Sequence, residues 1–229
     1  MSQDVVKTMK NYSNTQSKLQ HSLMCGVWAM ASATVCCDSW AAAGSVQGYV
    51  MQVQMTPAVC ALDHTSRKQR KCLEGYSLTI TGLIPETNQS NCSTHSSAKL
   101  SPLQDKVVAQ VMPDQNARNR LWATVGGCTG GTASQYFRGI INKAEKLKIP
   151  VELTGVDNRM MQLSHLKSQF FKLNPQLLHE AIRFNCQSHQ NQTYLTEMQI
   201  CYKSSGQYKA CSAQVISTCP TSFYIKGSY

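Results

Sequence analysis

The stretch Arg118-Asn119-Arg120-Leu121-Trp122-Ala123-Thr124-Val125-Gly126-Gly127-Cys128 decides the fold when it is set beside Ser77-Leu78-Thr79-Ile80-Thr81-Gly82-Leu83-Ile84-Pro85. In the upstream segment, Tyr76 to Ile80 carries the residue types that suit a pleated surface and reads as a strand. In the downstream segment, Leu121 to Val125 runs into a glycine-rich stretch, Gly126 to Gly131. That stretch lacks the Lys-Ser/Thr pair with which a phosphate loop reaches phosphate and metal, so it reads as a structural turn. Between the two lie a loop rich in Asn, Ser and Thr, Thr87 to Ser101, and a helical spacing over Leu103 to Met112.

Working outward, Tyr49 to Met55 alternates as a strand that Pro57 stops. Cys60 and Cys72 then bracket a basic loop holding Arg67, Lys68, Arg70 and Lys71. From Ala133 to Leu147, apolar residues recur at three- and four-residue intervals through Tyr136, Phe137, Ile140 and Ile141, which predicts a helix facing the core. Two further helices are expected over Met160 to Lys172 and Pro175 to Phe184, the second opened by Asn174 as cap and Pro175 in the first turn. The end of the chain reads as strands, Thr193 to Tyr202 and Tyr208 to Ile216, around a turn at Ser204-Ser205-Gly206. Ser2 to Gln20 is polar and reads as a short helix or partly ordered arm, and Cys25 to Ala43 as a buried helix.

The chain has 229 residues, and no linker composition divides it convincingly. We expect an N-terminal extension over 1–48 and one domain over 49–229. The 22 Lys+Arg against 12 Asp+Glu give a net charge of +10. That balance favours polyanions such as RNA, phosphorylated glycans or anionic membrane surfaces, with a merely solvated basic face as the plain alternative. Eleven cysteines, with no Cys-x-x-Cys pair and no Cys/His ligand spacing, point to disulfides rather than metal. A secreted or periplasmic protein is expected, with no metal and no other cofactor. Leu23 to Val35 is about half as long as a bilayer requires, so no transmembrane segment is expected. Preceded by Lys7, Lys10 and Lys18 it has the outline of a signal core, which we read instead as part of the folded chain.

Gly82, Leu83 and Pro85, together with Trp122, Gly126 and Cys128, resemble the scaffold of the two active-site segments of the ribonuclease T2 family. The family's first segment ends in His-Gly-Leu-Trp-Pro. Its second runs from His or Tyr through Glu and an aromatic residue to Lys-His-Gly, Thr or Ala, and Cys. The resemblance places the two motif histidines, which do acid–base work on RNA, at Thr81 and Val125. It places the family glutamate at Leu121, the lysine at Thr124 and the motif tryptophan at Ile84. Around Tyr49 to Cys60, Gln54 and Pro57 keep the look of the family's first strand, with Met55 in place of a tryptophan. Asn185-Cys186, Tyr194 to Ile200, Thr218-Cys219 and Tyr224 to Tyr229 are similar to the bacterial periplasmic ribonuclease I branch.

The resemblance implies an α+β fold, a mainly antiparallel sheet with packed helices and a cleft at the sheet. Thr81 and Val125 would face one another across that cleft. It also implies the disulfides Cys60–Cys72, Cys92–Cys128, Cys186–Cys219 and Cys201–Cys211. Cys25, Cys36 and Cys37 would then hold one pair and one odd thiol. Family chemistry needs a base for the 2′-hydroxyl, an acid for the leaving oxygen and a cation for the phosphorane, and it proceeds through a 2′,3′-cyclic phosphate. Imidazole serves both proton roles near neutral pH, whereas neither a threonine hydroxyl nor a valine exchanges a proton there.

We therefore expect no catalytic residue at the motif positions. Arg120 is the candidate phosphate contact, Trp122 either a base contact or core, and the Arg67 to Lys71 loop a second basic surface. His64 and His95 are the histidines that could approach the cleft rim, while His21, His165, His179 and His189 lie elsewhere. Neither a paired-carboxylate glycosidase nor a Cys/His nucleophile is suggested. Three functions follow in order: a catalytically dead ribonuclease-like protein that binds RNA or another polyanion, a secreted protein-interaction factor, and an active endoribonuclease with relocated groups.

Overall fold

The computed structural model describes residues 46–228 other than 64. Expectations for Ser2 to Gln20, for Cys25 to Ala43, for the pairing of Cys25, Cys36 and Cys37, and for His21 and His64 lie outside the described residues. Six strands form one sheet: β1 (Gly48–Met55), β2 (Leu78–Glu86), β3 (Arg159–Gln162), β4 (Ile182–His189), β5 (Gln192–Lys203) and β6 (Ser222–Ile225). The order is β2-β1-β5-β6-β3, with β4 also paired to β5. Every ladder is antiparallel except β5 with β6, which meet in parallel at Tyr194 and Tyr224. Six α-helices pack with it: α1 (Thr56–Leu62), α2 (Arg70–Leu73), α3 (Pro102–Ala109), α4 (Gln115–Val125), α5 (Ala133–Lys146) and α6 (Leu163–Leu173). The fold class is α+β with a mainly antiparallel sheet.

The local reasons are ordinary ones. Pro57 sits in the first turn of α1, so the β1 ladder cannot continue past it. Ser101 and Asp114 cap α3 and α4 by accepting the amides of Gln104 and Ala117, and Thr132 with Gln135 forms a complete capping box on α5. Along α5, Tyr136, Phe137 and Ile140 are buried on one stripe, as the spacing requires. They join Met51, Val53 and Met55 of β1 in one core, where each fully buried large side chain contributes roughly 1.5–3 kcal/mol. The Tyr136 hydroxyl donates to the Leu83 carbonyl at 3.0 Å and receives the Leu83 amide at 3.2 Å, pinning α5 to β2. Burial pushes that phenol well above its ordinary pKa, so it stays a neutral donor.

All four disulfides implied by the resemblance are formed: Cys60–Cys72, Cys92–Cys128, Cys186–Cys219 and Cys201–Cys211. Three element assignments need correction. Met160 to Gln162 is strand, not helix, because β6 pairs with it from far along the chain; Met161 is buried and Met160 is 65% exposed. No α-helix covers Pro175 to Phe184, only a 3-10 turn at His179–Ala181 before β4, since Asn174 closes the preceding helix. Its amide nitrogen donates to Phe170 and Lys148 carbonyls, and its oxygen accepts the Lys148 amide, so nothing remains to cap a following helix. Tyr208 to Ile216 is not a strand beyond a single bridge to Tyr202, because the Cys211 amide leaves β5 to donate to the Glu180 carbonyl.

Candidate functional site

The β1–β2 register pairs Gln52 with Gly82 and Val53 with Ile80, which leaves Thr81 as the extra residue of a β-bulge. A bulge bends its strand and re-aims one side chain, so the backbone presents position 81 specifically. Thr81 is half-buried and lines a small hollow of about 70 Å³ with Gln69, Lys71, Asp114 and Ala117. Lys71 donates from Nζ to Gln54 Oε1 at 2.5 Å, and its burial lowers its pKa below the ordinary lysine value.

The second segment lies against the first through Leu121 and Gly82. A Cβ built on Gly82 would come within 3.4 Å of Leu121 Cδ1 and 3.1 Å of Gln52 Oε1. Val125, by contrast, is 4% exposed and packed in the core, so it does not face Thr81 across an open cleft as expected. The glycines that follow answer to packing. A Cβ on Gly126 would strike Thr94 at 2.5 Å and Trp122 at 2.8 Å, and one on Gly127 would strike the Ser93 carbonyl at 2.5 Å. Gly126-Gly127 therefore exists to let the 92–94 segment lie on α4, where Gly127 N–H donates to Cys92 O and Thr94 N–H to Ala123 O, beside the Cys92–Cys128 bridge. Gly130, with φ of +67°, completes the turn.

Trp122 is 2% exposed, its N–H donates to both the Ser96 carbonyl and hydroxyl at 3.1 Å, and its ring tilts against Tyr136. Core packing is its place, with no open face for a base. Arg120 and Thr124 are exposed, and the Thr124 hydroxyl donates back to the Arg120 carbonyl within α4. His95 is exposed in the cavity beside α4 that Trp122, Ala123 and Asn119 also line. His165, His179 and His189 lie on α6, on the short turn before β4 and at the end of β4.

The basic loop is more committed than its composition suggests. Arg67 donates to the Cys60 and Ala61 carbonyls, Arg70 pairs with Glu74 at 2.5 Å, and Lys71 is held by Gln54. Lys68 alone of the four projects without such a contact among the described residues. No cluster of three or more His, Cys, Asp or Glu among the described residues could hold a metal ion, and no described helix is long and apolar enough to cross a membrane.

No protein-family model and no curated protein matches the sequence. Solved structures do match. Ribonuclease MC1 from bitter gourd seeds is 17% identical, with a TM-score of 0.60 over 77% of this chain and 98% of that one. Japanese pear S3-RNase is 18% identical, with a TM-score of 0.57 over 80% and 99%. The Nicotiana alata self-incompatibility associated SF11-RNase is 14% identical, with a TM-score of 0.59 over 76% and 95%. The fold is that of the T2-type ribonucleases. On this T2-type fold, two features escaped the sequence reading. One is the Lys71–Gln54 contact beside Thr81, which joins helix α2 to strand β1. The other is Glu197 on β5, opposite Gln54, whose carboxyl burial holds above the ordinary range while Gln199 donates to it at 2.8 Å.

Proposed function

We propose that this chain is a member of the ribonuclease T2 family in which both motif histidines have been replaced, and that it binds RNA or another polyanion without cleaving it. One observation carries the reading: the bulge at position 81 aims a side chain, and that side chain is a threonine, while position 125 is a valine sealed in the core. Loss of a single general acid or base removes about two to four powers of ten in rate, and here both are missing along with the family lysine. The net charge of +10 supports a polyanionic partner, and four disulfides support a secreted or periplasmic location. Mutants of ribonuclease MC1, a T2-type neighbour, were solved with 5′-UMP and 5′-GMP, which agrees with nucleotide recognition on this fold.

A second reading, a secreted factor that acts through a protein partner, is favoured by the burial of Trp122 and by Ile84 in place of a stacking tryptophan. An active endoribonuclease with relocated groups ranks third; His95 beside α4 and Lys71 beside Thr81 are the groups it would need. The test is a low-salt titration of labelled single-stranded RNA with recovery of the oligonucleotide afterwards. Intact RNA bound more tightly than roughly 10⁻⁴ M, the weak end of non-specific affinity, is expected. Absence of binding would put the protein-partner reading ahead, and shortened product would favour the third.

A further inference from the structure

Among the described residues, positive charge is not gathered at the motif segments. The hollow beside Thr81 sets Lys71 against Asp114, and in the cavity beside α4 the Arg118 guanidinium is already paired with Asp105 at 2.6 Å. A third depression, between α5 and the end of β5, is lined by Lys143, Lys146, Lys148 and Lys203 with Glu145 as its one carboxylate. Among the described residues the ion pairs are Arg70–Glu74, Arg118–Asp105 and Lys209–Glu86, so these four ammonium groups have no carboxylate partner. At about 1,070 Å³ the depression is many times larger than the Thr81 hollow. It continues past Gly139 and Lys143 into a second cavity that reaches the Thr129-Gly130-Gly131 turn, which makes it a groove rather than a pit.

Its floor is aromatic. Lys143 Nζ sits 5.5 Å from the Tyr49 ring centre and 5.3 Å from that of Tyr202, a placement that fixes the ammonium where it is partly stripped of water. Tyr202 is 97% buried by side chain and backbone together, since its exposure is 3%, and its hydroxyl lacks a well-aligned hydrogen-bond partner. Tyr208 lies against it at 5.2 Å with 32° between the rings, half-exposed toward the groove. Gly139 breaks the side-chain surface of α5 at the junction of the two cavities, although a Cβ there would meet nothing nearer than Leu83 Cδ2 at 3.9 Å. Packing does not require that glycine. A cationic track beside the part-exposed Tyr208 ring, with Tyr202 buried beneath it, is the combination that holds single-stranded nucleic acid without reading its sequence.

We propose that single-stranded RNA is held through its phosphodiester backbone in this groove, by Lys143, Lys146, Lys148 and Lys203, and not at the motif segments. This rests on the polyanion-binding reading above and says where on the fold that binding takes place. The fold's sequence scaffold and its RNA-holding surface are thereby separate regions of one domain.

The test is fluorescence anisotropy with a fluorescein-labelled twelve-residue oligouridylate between 50 and 200 mM NaCl. Four phosphate contacts give a slope of log K against log salt of about −2.8, which is a weakening of about 50-fold across that range. The variant Lys146→Gln/Lys148→Gln/Lys203→Gln changes only exposed side chains. It is expected to bind at least ~10-fold more weakly at 50 mM, with the slope cut to about −0.7, and to keep the wild-type circular dichroism spectrum. Wild-type binding and slope in this variant would overturn the groove while leaving the polyanion reading standing, as would loss confined to Arg67→Gln/Lys68→Gln/Arg70→Gln/Lys71→Gln. Failure of the wild-type protein to bind at 50 mM would overturn both.

Discussion

Replacing Trp122 separates core from contact most cleanly. The indole is 2% exposed, wedged between Gly126 and Tyr136, and hydrogen-bonded through its N–H to Ser96. Trp122→Ala empties that volume and should cost about 3–5 kcal/mol. Trp122→Phe keeps most of the packing and loses the N–H bond; Ser96 is exposed, so water takes up its freed acceptors and the cost should be about 0.5–1.5 kcal/mol. With a denaturant slope of about 2 kcal/mol/M, the urea midpoint should fall by about 1.5–2.5 M for alanine and about 0.25–0.75 M for phenylalanine. RNA affinity in the folded Trp122→Phe protein should match wild type. A Trp122→Phe variant that unfolds at the wild-type midpoint yet loses RNA binding would make the indole a stacking platform and refute the packing argument.

Two other perturbations test the framework. The Cys92–Cys128 bridge closes a separation of 36 residues and Cys201–Cys211 one of 10, so in the chain-entropy view their removal to serine should cost about 3.8 and 2.7 kcal/mol. Equal losses in denaturant unfolding would contradict that view here. Burial raises the Glu197 carboxyl above its ordinary 4.5, so its contribution to stability is fully present below the unfolded value and is lost as pH rises through the folded one. Glu197→Gln should therefore unfold later than wild type at pH 7 and approach it at pH 4; a difference independent of pH in thermal melts would show that Glu197 does not titrate as argued.

Long periodic elements were legible from the chain alone. The stripe Tyr136, Phe137 and Ile140 marked α5 almost to the residue, and the alternation up to Pro57 marked β1, because a helix or strand that buries one face writes its period into the sequence. Short elements that owe their state to a distant partner were not. Arg159–Gln162 is a strand only because Ser222–Ile225 lies beside it, and Ile182–His189, read in part as helix, is held by β5. Asn174 looked like an opening cap and is a closing one, a distinction that depends on the Lys148 segment folding back over it. At the site, Gly82 and Gly126 were visible as motif letters and Gly127 as part of a glycine turn, but their cause, the approach of Leu121 and of residues 92–94, needed coordinates. The lysine groove was invisible because its four lysines come from α5, the segment after it and the end of β5.

The most direct test of the central claim is cleavage of single-stranded RNA as a function of pH from 4 to 8, beside a T2-type ribonuclease at equal concentration. On the proposed placement of Thr81 and Val125 at the two motif-histidine positions, intact RNA and a flat profile are expected while the comparison enzyme completes the reaction. A bell-shaped activity that co-purifies with the protein and disappears in His64→Ala or His95→Ala would contradict it.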